Sequence, residues 1–332
     1  MPVDQAPGTS EHRFMSPKVL ISILNWNNAP ATINCVHSVL KQSYGSYEIL
    51  ITDNASGDGS VKVISDVFPD LKVIANKNNI GYASAHKIAA DYATDHQFDL
   101  LWILNNDTEV MPDALEALVN AYLDHQEAIY GSITLEANKK EIRFAGGYEL
   151  KDGRVNFNSI SNPLRGKPLS EVKLEELGGE VAELNGSSLL IPIDIIKKHG
   201  FMPEYFFLYS EETAYGYRLR EEGVKSILVP QSQVIHAGSQ SFSNPYLKYI
   251  AEYYRMRNDL LLRKELKIIS NAEIIKSFGW ADWISWLVKR LLFAFNYQKF
   301  SLKHYYRQLG TWHALLNKRG KTIAPEKFLN KV

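Results

Sequence analysis

Residues 19–54 read VLISILNWNNAPATINCVHSVLKQSYGSYEILITDN, and this stretch decides the fold. Its two ends, VLISILNW (19–26) and YEILITDN (47–54), are short apolar runs rich in β-branched residues, which predict buried strands. Between them, Ile33, Val36 and Leu40 recur at helical spacing. Two strands joined through a helix predict a βαβ unit with parallel strands.

The alternation of strands and helices continues to about residue 130. Further strands are predicted at LKVIAN (71–76) and DLLWILNN (99–106), and helices near Ser60, at 82–97 and at 111–126. This order predicts an α/β fold with a doubly wound, mostly parallel sheet. In such sheets, ligands bind at the carboxyl ends of the strands.

After residue 130 the pattern is less regular. We expect a hairpin at 141–157, an irregular insertion at 162–180, a strand within 181–192 and a pair of strands within 226–238. From about residue 246 the pattern is predominantly helical. These segments predict additions to the sheet, followed by a helical extension.

The composition excludes several classes of protein. Lys plus Arg and Asp plus Glu each number 37 in 332 residues, which argues against a nucleic-acid-binding protein with a basic surface. Cys35 is the only cysteine, so an internal disulfide and a cysteine-rich zinc site are both excluded, and we expect a buried, unreactive thiol. The N-terminal residues lack the apolar core of a secretory signal, and no uninterrupted apolar run reaches about 18 residues. We therefore expect a cytoplasmic protein without a transmembrane helix.

Polar side chains follow each of the four predicted strands of the first 130 residues. NWNN ends the first strand, TDNASGDGS the second, NKNNIGY the third and NNDT the fourth. A single cluster of this kind would be a turn. Because parallel strands present their carboxyl ends at one edge, four such clusters predict a polar crevice there.

The charged residues of this crevice have two interpretations each. Asp107 either forms a turn or caps a helix, or it is a ligand of a divalent cation. Asp53 either shapes a turn or accepts hydrogen bonds from a nucleoside. Glu211 and Glu212 either favour the start of a helix or supply a general base. His236 is either structural or, since the small residues AGSQS follow it, close to a phosphate.

The stretch ILNWNNAPATINCVHSVLKQSYGSYEILITDNASGDGS (23–60) resembles the opening of family 2 glycosyltransferases, particularly the bacterial rhamnosyltransferase-type members that build surface polysaccharides. Later blocks of that family are resembled, in the same order, by NKNNIGYASAHK, LLWILNNDTEV, FFLYSEETAYGYRLREEG, ILVPQSQVIHAGSQS and YYRMRNDLLL. The resemblance covers roughly residues 18–262. It implies a GT-A fold and transfer of a sugar from a nucleoside diphosphate, with inversion at the anomeric carbon.

The resemblance also implies a role for each matching position. Nucleotide binding is implied for Asn25, Asn27, Asp53, Asn79, Gly81, Asn105 and Asn106. Asp107 and His236 would hold Mg²⁺ or Mn²⁺, and Glu212 would be the catalytic base with Glu211 beside it. The implied partners are a nucleotide sugar, linked to dTDP or UDP, and a glycan or lipid-linked glycan that accepts the sugar.

Three departures from the family pattern leave other hypotheses open. Asn105 stands where many relatives have aspartate, Glu212 replaces the more usual aspartate, and Ser84 with Ala85 stands where relatives often have glycines. The first two suit a non-catalytic scaffold that binds nucleotide sugars in a polysaccharide assembly system. A nucleotidyltransferase is a further alternative, but NWNNAPAT is not the glycine-rich, basic loop that such an enzyme needs after its first strand.

We divide the chain into a polar N-terminal lead-in (1–17), a catalytic domain (18–245) and a helical, basic extension (246–332). The catalytic domain would comprise a nucleotide-binding half at 18–130 and an acceptor half at 131–245. From Lys276 onward, the extension carries eleven Lys and Arg but only two acidic residues. Its apolar helical stripe consists of Trp280, Trp283, Ile284, Leu287, Val288, Leu291 and Phe295. We expect residues 270–332, which include this stripe, to make one of two contacts. One is a peripheral contact with the cytoplasmic face of the inner membrane, and the other is a protein contact, such as a homodimer.

Overall fold

The computed structural model describes residues 16–125, 127–148, 150–151, 154–155, 162–236, 245–277, 284, 288 and 302–329. The first part of the chain alternates strands and helices as the sequence predicts. Its elements are β1 (Val19–Asn25), α1 (Ala29–Val39), β2 (Tyr47–Asp53), α2 (Ser60–Val67), β3 (Lys72–Ala75), α3 (Tyr82–Asp95), β4 (Leu100–Asn105), β5 (Thr108–Val110) and α4 (Ala114–Asp124).

The second part adds shorter strands and then helices. They are β6 (Ala128–Leu135), β7 (Ile142–Phe144), β8 (Leu150–Lys151), β9 (Arg154–Val155), β10 (Gly179–Glu180), β11 (Ser188–Pro192), α5 (Ile193–His199), α6 (Glu211–Glu221), β12 (Lys225–His236), α7 (Pro245–Glu265), α8 (Asn271–Ser277) and α9 (Leu302–Leu315). The predicted hairpin at 141–157 contains the antiparallel pair β8–β9. The insertion at 162–180 contains two short 3-10 turns, Leu169–Glu171 and Leu174–Glu176.

One large mixed sheet has the strand order β10-β12-β6-β11-β4-β1-β2-β3, with β5 paired to β12 and β7 to β6. Strands β3, β2, β1 and β4 run parallel, as do β6 and β12, whereas β11 lies antiparallel between β4 and β6. The prediction of a doubly wound, mostly parallel α/β sheet is confirmed. The predicted pair of strands at 226–238 is wrong: a single strand, β12, continues through a shift of register between Val229 and Gln233. Such a bulge lets one strand bend where Pro230 cannot donate a backbone hydrogen bond.

The core lies on both faces of the sheet. On β4, Leu101 and Ile103 face one hydrophobic cluster with the alanines of α3, whereas Trp102 and Leu104 face a second cluster with α1 and α4. Because both faces are covered by helices, the central strands are apolar at successive positions rather than alternating. Cys35 is buried in the second cluster, as expected, and burial raises the pKa of its thiol to about 12.

Helices α7 and α9 pack against each other and against the segment before α6. Tyr253, Tyr254, Tyr305 and Tyr306 form a buried aromatic cluster with Phe207 of the segment before α6. Of the stripe predicted within residues 280–295, only Ile284 and Val288 are among the described residues, and both are exposed. The predicted lead-in up to residue 15 lies outside the described residues. Among the described residues, we find no helix of the length and apolarity that crossing a bilayer requires.

Candidate active site

Three polar side chains end three adjacent parallel strands. Asn25 of β1 lies in register with Asp53 of β2, and its neighbour Leu24 lies in register with Asn105 of β4. The prediction that these residues share one edge of the sheet is therefore confirmed. The strands are apolar up to this point, so the buried sheet acts as a rigid support for the polar ends.

Asn25 and Asp53 form one buried hydrogen-bonded unit. Nδ2 of Asn25 donates to Asp53 Oδ2 at 2.7 Å, and both side chains are almost fully buried. Ser56 donates to the same carboxylate through its backbone N at 2.9 Å and its hydroxyl at 2.7 Å. Asp53 thus shapes the turn that follows β2, as one of its two interpretations predicted, and these hydrogen bonds fix the position of its carboxylate.

Asn27 belongs to the same loop. It has a left-handed backbone (φ 52°), its Oδ1 accepts from Gly57 N at 2.8 Å, and its Nδ2 is buried without a hydrogen-bond partner. A buried, unsatisfied amide donor costs free energy unless a ligand completes it.

Asn79 and Gly81 lie beside this unit, after β3. Asn54, which sequence reasoning did not single out, links them, because its Nδ2 donates to Asn79 Oδ1 at 3.0 Å and to Gly81 O at 3.2 Å. Gly81 has φ 91°, and a Cβ there would lie 2.5 Å from the carbonyl oxygen of Phe207. Glycine is required at this position both by the backbone conformation and by the close approach.

A cleft of about 390 Å³ opens at this edge of the sheet. It brings together six of the predicted site residues: Asn105, Asn106, Asp107, Glu211, Glu212 and His236. The other five, which are Asn25, Asn27, Asp53, Asn79 and Gly81, do not line this cleft. Asn25 nevertheless contacts it from behind, because its Oδ1 accepts a hydrogen bond from Asn106 Nδ2 at 3.4 Å.

Asp107 and His236 meet at one wall of the cleft. Their closest atoms, Asp107 Oδ1 and His236 Nε2, are 3.1 Å apart, and Asn105 Nδ2 lies 3.2 Å from the same imidazole nitrogen. Asp107 does not cap α4, whose N-cap residue is Asp113. Within the part of the chain that the structure describes, no group of three or more His, Cys, Asp or Glu side chains could hold a metal. The side chains of Asp107, His236 and Asn105 thus form this wall of the cleft.

Glu211 and Glu212 begin α6 and line the same cleft. Burial, together with a smaller contribution from the nearby Glu183 carboxylate, raises the pKa of Glu212 to about 7. Burial also raises the pKa of Glu211 well above its usual range, with a contribution from the charge of Glu212. Oε2 of Glu211 is buried without a hydrogen-bond partner. The helix N-terminus favours negative charge here, but burial has the larger effect.

Several residues of the cleft were missed by sequence reasoning. Arg143 and Arg255 line it and form ion pairs with Glu136 at 2.9 Å and Glu252 at 3.7 Å. The two arginines lie on β7 and α7, so neither follows one of the parallel strands after which polar site residues were expected.

Gly186 and Tyr82 were also missed. Tyr82 donates its hydroxyl to Gly186 O at 2.7 Å, and a Cβ at Gly186 would lie 3.3 Å from Glu212 Cγ. The sequence LNGSS (184–188) was a usable signal, since a glycine inside a strand-like pattern indicates close approach of the backbone.

The chain is similar in sequence and in fold to known glycosyltransferases. Residues 20–166 match the family described as glycosyl transferase family 2. The N-acetylglucosaminyl-diphospho-decaprenol L-rhamnosyltransferase of Mycobacterium tuberculosis is 24% identical over 225 residues, which are 62% of this chain and 72% of that protein. The low-salt glycan biosynthesis hexosyltransferase Agl10 of Haloferax volcanii is 24% identical over 298 residues, 86% of this chain and 87% of that protein.

Two solved structures share the fold. GalNAc-T7 with UDP, GalNAc and Mn²⁺ has a TM-score of 0.57 at 20% identity, and the match covers 75% of this chain and 48% of that one. The chain thus spans about half the length of GalNAc-T7. The mannosyltransferase PcManGT from Pyrobaculum calidifontis, with GDP-Man and Mn²⁺, has a TM-score of 0.55 at 15% identity, with 96% and 91% covered. Residues 20–166 thus resemble the family 2 glycosyltransferases, the chain has a GT-A fold, and its sequence is similar to that of a rhamnosyltransferase.

Proposed function

We propose that this chain is an inverting, metal-dependent glycosyltransferase that moves a sugar from a nucleoside diphosphate to an acceptor hydroxyl. The observation that carries the proposal is the cleft itself. It brings a carboxylate with a raised pKa, Glu212, into the same cleft as the Asp107–His236 pair. Inversion needs a base for the acceptor and stabilisation of the leaving group, and we propose that Glu212 and the Asp107–His236 pair supply them.

Glu212 would accept the proton of the attacking hydroxyl. A general base works best when its pKa lies near the working pH, and burial brings the pKa of Glu212 to about 7. Glu211 lies beside it, and the raised pKa of Glu211 disfavours a second negative charge next to Glu212. Direct attack by the acceptor needs no covalent nucleophile on the enzyme.

Asp107 and His236 fit a divalent cation. A carboxylate oxygen and an imidazole nitrogen converge at 3.1 Å in a nearly buried position, which is a mixed oxygen and nitrogen donor set that Mn²⁺ accepts and whose carboxylate also suits Mg²⁺. When bound, the cation would supply positive charge to the departing diphosphate. Arg143 and Arg255 would add to the positive charge of the cleft.

The nucleotide would lie along the polar strand ends. The Asn25–Asp53 unit and the Asn79–Gly81 loop are preorganised by hydrogen bonds, and Asn27 keeps an unsatisfied amide group. Asn105 and Asn106 connect these segments to the cleft, so we propose all seven residues as the nucleotide-binding surface. A preorganised surface binds with a smaller entropic cost.

We propose a deoxyhexose such as rhamnose as the sugar, carried on dTDP or UDP, and a growing surface glycan or glycolipid as the acceptor. The support is the likeness to a relative whose name specifies an L-rhamnosyl donor group and a diphospho-decaprenol-linked acceptor. The rhamnose assignment is the finest part of the proposal, and a donor screen tests it directly.

Transfer assays with purified protein test the whole proposal. The donors are dTDP-rhamnose and UDP-sugars, each with Mn²⁺ and with chelator, and release of the nucleoside diphosphate is measured. We expect turnover only with metal, and a loss of 10²–10⁴-fold in Glu212→Gln, which is the usual contribution of a general base. A protein that binds nucleotide diphosphate but never turns over any donor would instead be the non-catalytic scaffold to which the Asn105 and Glu212 departures point.

We also propose that the basic extension contacts an anionic membrane surface, where a lipid-linked acceptor would be found. Its excess of Lys and Arg and the exposed Ile284 and Val288, at 60% and 48%, support this contact. The test is flotation with anionic vesicles of I284E/V288E. V63E/V67E is a matched control, since Val63 and Val67 are an equally spaced pair exposed on α2. Equal flotation of both variants would reject membrane contact through these side chains, and a change of oligomeric state in the first would indicate a homodimer instead.

A further inference from the structure

The segment that precedes the two candidate catalytic glutamates is conformationally strained. Phe207, Tyr209 and Ser210 have φ values of 70°, 69° and 74°, which side chains other than glycine rarely adopt. None of these residues is glycine, and the segment ends where α6 begins with Glu211. A strained backbone of this kind persists only when its surroundings hold it in place.

Asn258 of α7 holds the segment from behind. Its Nδ2 donates to three carbonyl groups of the turn, at 3.0 Å to Phe206 O, 2.7 Å to Leu208 O and 3.0 Å to Tyr209 O. Asn258 is fully buried. A buried amide that serves these carbonyls replaces the hydrogen bonds that regular secondary structure would otherwise supply.

Arg257 adds to this contact. Its Nη2 donates to Phe206 O at 2.8 Å and its Nε to Asn258 Oδ1 at 2.8 Å, so the arginine orients the asparagine. Nη1 donates to Gly320 O at 2.8 Å and Thr322 Oγ1 at 2.6 Å. The guanidinium is fully buried and thereby ties the segment to the end of the helical extension.

The same segment contacts the proposed nucleotide-binding surface. Tyr82 N donates to Phe207 O at 2.8 Å, next to the point where Gly81 leaves no room for a Cβ. The strained turn therefore lies between the Asn79–Gly81 loop and the Glu211–Glu212 pair. A shift of this turn would displace the glutamates relative to a bound donor.

We propose that Arg257 and Asn258 are positioning residues, which hold the strained turn so that Glu212 faces the acceptor hydroxyl. This inference rests on the proposed function, because it assigns a task to residues that act through the candidate base. Neither side chain lines the cleft. Their effect on turnover would thus arise without contact with substrate.

The principal test compares Asn258→Ala with Asp259→Ala, its neighbour on α7, whose carboxylate pairs only at the surface with Arg263 at 3.0 Å. In Asn258→Ala we expect kcat to fall on the order of 10²-fold, the usual effect of misplacing a catalytic group by about 1 Å. KM for the donor should change much less than kcat, because the Asn25–Asp53 unit is untouched and only the Asn79–Gly81 loop adjoins the turn. Asp259→Ala should retain the wild-type kcat. The proposal would be overturned if Asn258→Ala kept the wild-type kcat, whether or not its KM for the donor rises.

Hydrogen exchange of the backbone gives a second measurement that does not require turnover. We expect amides of residues 206–212 to exchange at least about tenfold faster in Asn258→Ala than in Asp259→Ala, with β1 and β2 unchanged. If Asn258→Ala does not fold, Arg257→Lys serves in its place, because lysine keeps the positive charge but cannot make all four contacts. Wild-type exchange in the folded variant would overturn the positioning role. A wild-type protein without any turnover would instead reject the proposed function and leave the exchange result to decide about the turn.

Discussion

His236 Nε2 lies 3.1 Å from Asp107 Oδ1, although the two residues come from distant parts of the chain. The contact follows from the sheet: β12 pairs antiparallel with β5, and this pairing places His236 opposite Thr108. The loop between β4 and β5 then carries Asp107 to the imidazole. The contact between Asp107 and His236 therefore depends on a long-range strand pairing that no local sequence pattern specifies.

Asp107→Asn should weaken metal-dependent nucleotide binding. The substitution keeps the shape of the side chain but removes its negative charge, and ligand charge strongly affects the affinity of a site for a divalent cation. We expect at least about a tenfold loss in the Mn²⁺-dependent part of dTDP or UDP affinity, measured by calorimetry with and without chelator. Asp113→Asn is a matched control, since Asp113 is exposed and its side chain makes no cap hydrogen bond. Equal Mn²⁺ dependence in both variants would contradict the assignment of Asp107.

Turnover should rise with pH through about pH 7. Glu212 acts as a base only when it is deprotonated, and its pKa is raised to about 7, so activity is present above this value and lost as the pH falls. The measurement is the pH profile of kcat. Glu183→Gln removes a neighbouring negative charge and should move the acid limb to lower pH, because that charge contributes to the raised pKa. A kcat that is constant between about pH 5.5 and 8.5 would contradict the role of Glu212.

Glu211→Gln should stabilise the fold at alkaline pH. The folded state raises the pKa of Glu211 above its unfolded value, so the folded state binds the proton more tightly. The stabilisation from this proton is present below the unfolded pKa and is lost as the pH rises through the folded one. We therefore expect Glu211→Gln to raise the free energy of unfolding by roughly 1–3 kcal/mol at pH 8, because glutamine needs neither proton uptake nor burial of a charge on folding, and by much less near pH 4.5.

Urea unfolding at both pH values measures this difference. Glu221→Gln is the control, because Glu221 is exposed on the same helix. If Glu211→Gln is less stable than the wild-type protein at pH 8, the burial of Glu211 does not carry the cost that its position indicates.

Much of the sheet and its polar edge could be predicted from the sequence, because both depend on local patterns. Apolar runs specify strands such as β1 and β4, and the rule that ligands gather at carboxyl ends selects Asn25, Asp53 and Asn105. The bulged strand β12 could not be predicted as one strand, since Pro230 reads as an interruption when the pairing with β6 is unknown.

The remaining cleft residues could not be found in this way. Arg143 comes from β7 and Arg255 from α7, so neither follows a parallel strand. Their place in the cleft depends on how the later segments pack, and packing partners are not encoded in local periodicity. Likewise, the role of Asn258 becomes visible only through the carbonyl groups that it contacts.

Gly81→Ala should disrupt the junction between the proposed nucleotide-binding surface and the strained turn. An added Cβ would lie 2.5 Å from Phe207 O, and the positive φ of 91° is itself unfavourable for alanine. We expect a loss of about 1–3 kcal/mol in the free energy of unfolding, as for other overpacked positions, together with weaker nucleotide binding. Gly57→Ala is the control, because a Cβ at Gly57 would meet no atom within 4 Å, and its stability should change by no more than about 0.5 kcal/mol. Denaturant unfolding and nucleotide titration of both variants measure these effects. If Gly81→Ala matched Gly57→Ala in stability and in nucleotide affinity, the close contact between Gly81 and Phe207 would not couple the strained turn to the Asn79–Gly81 loop.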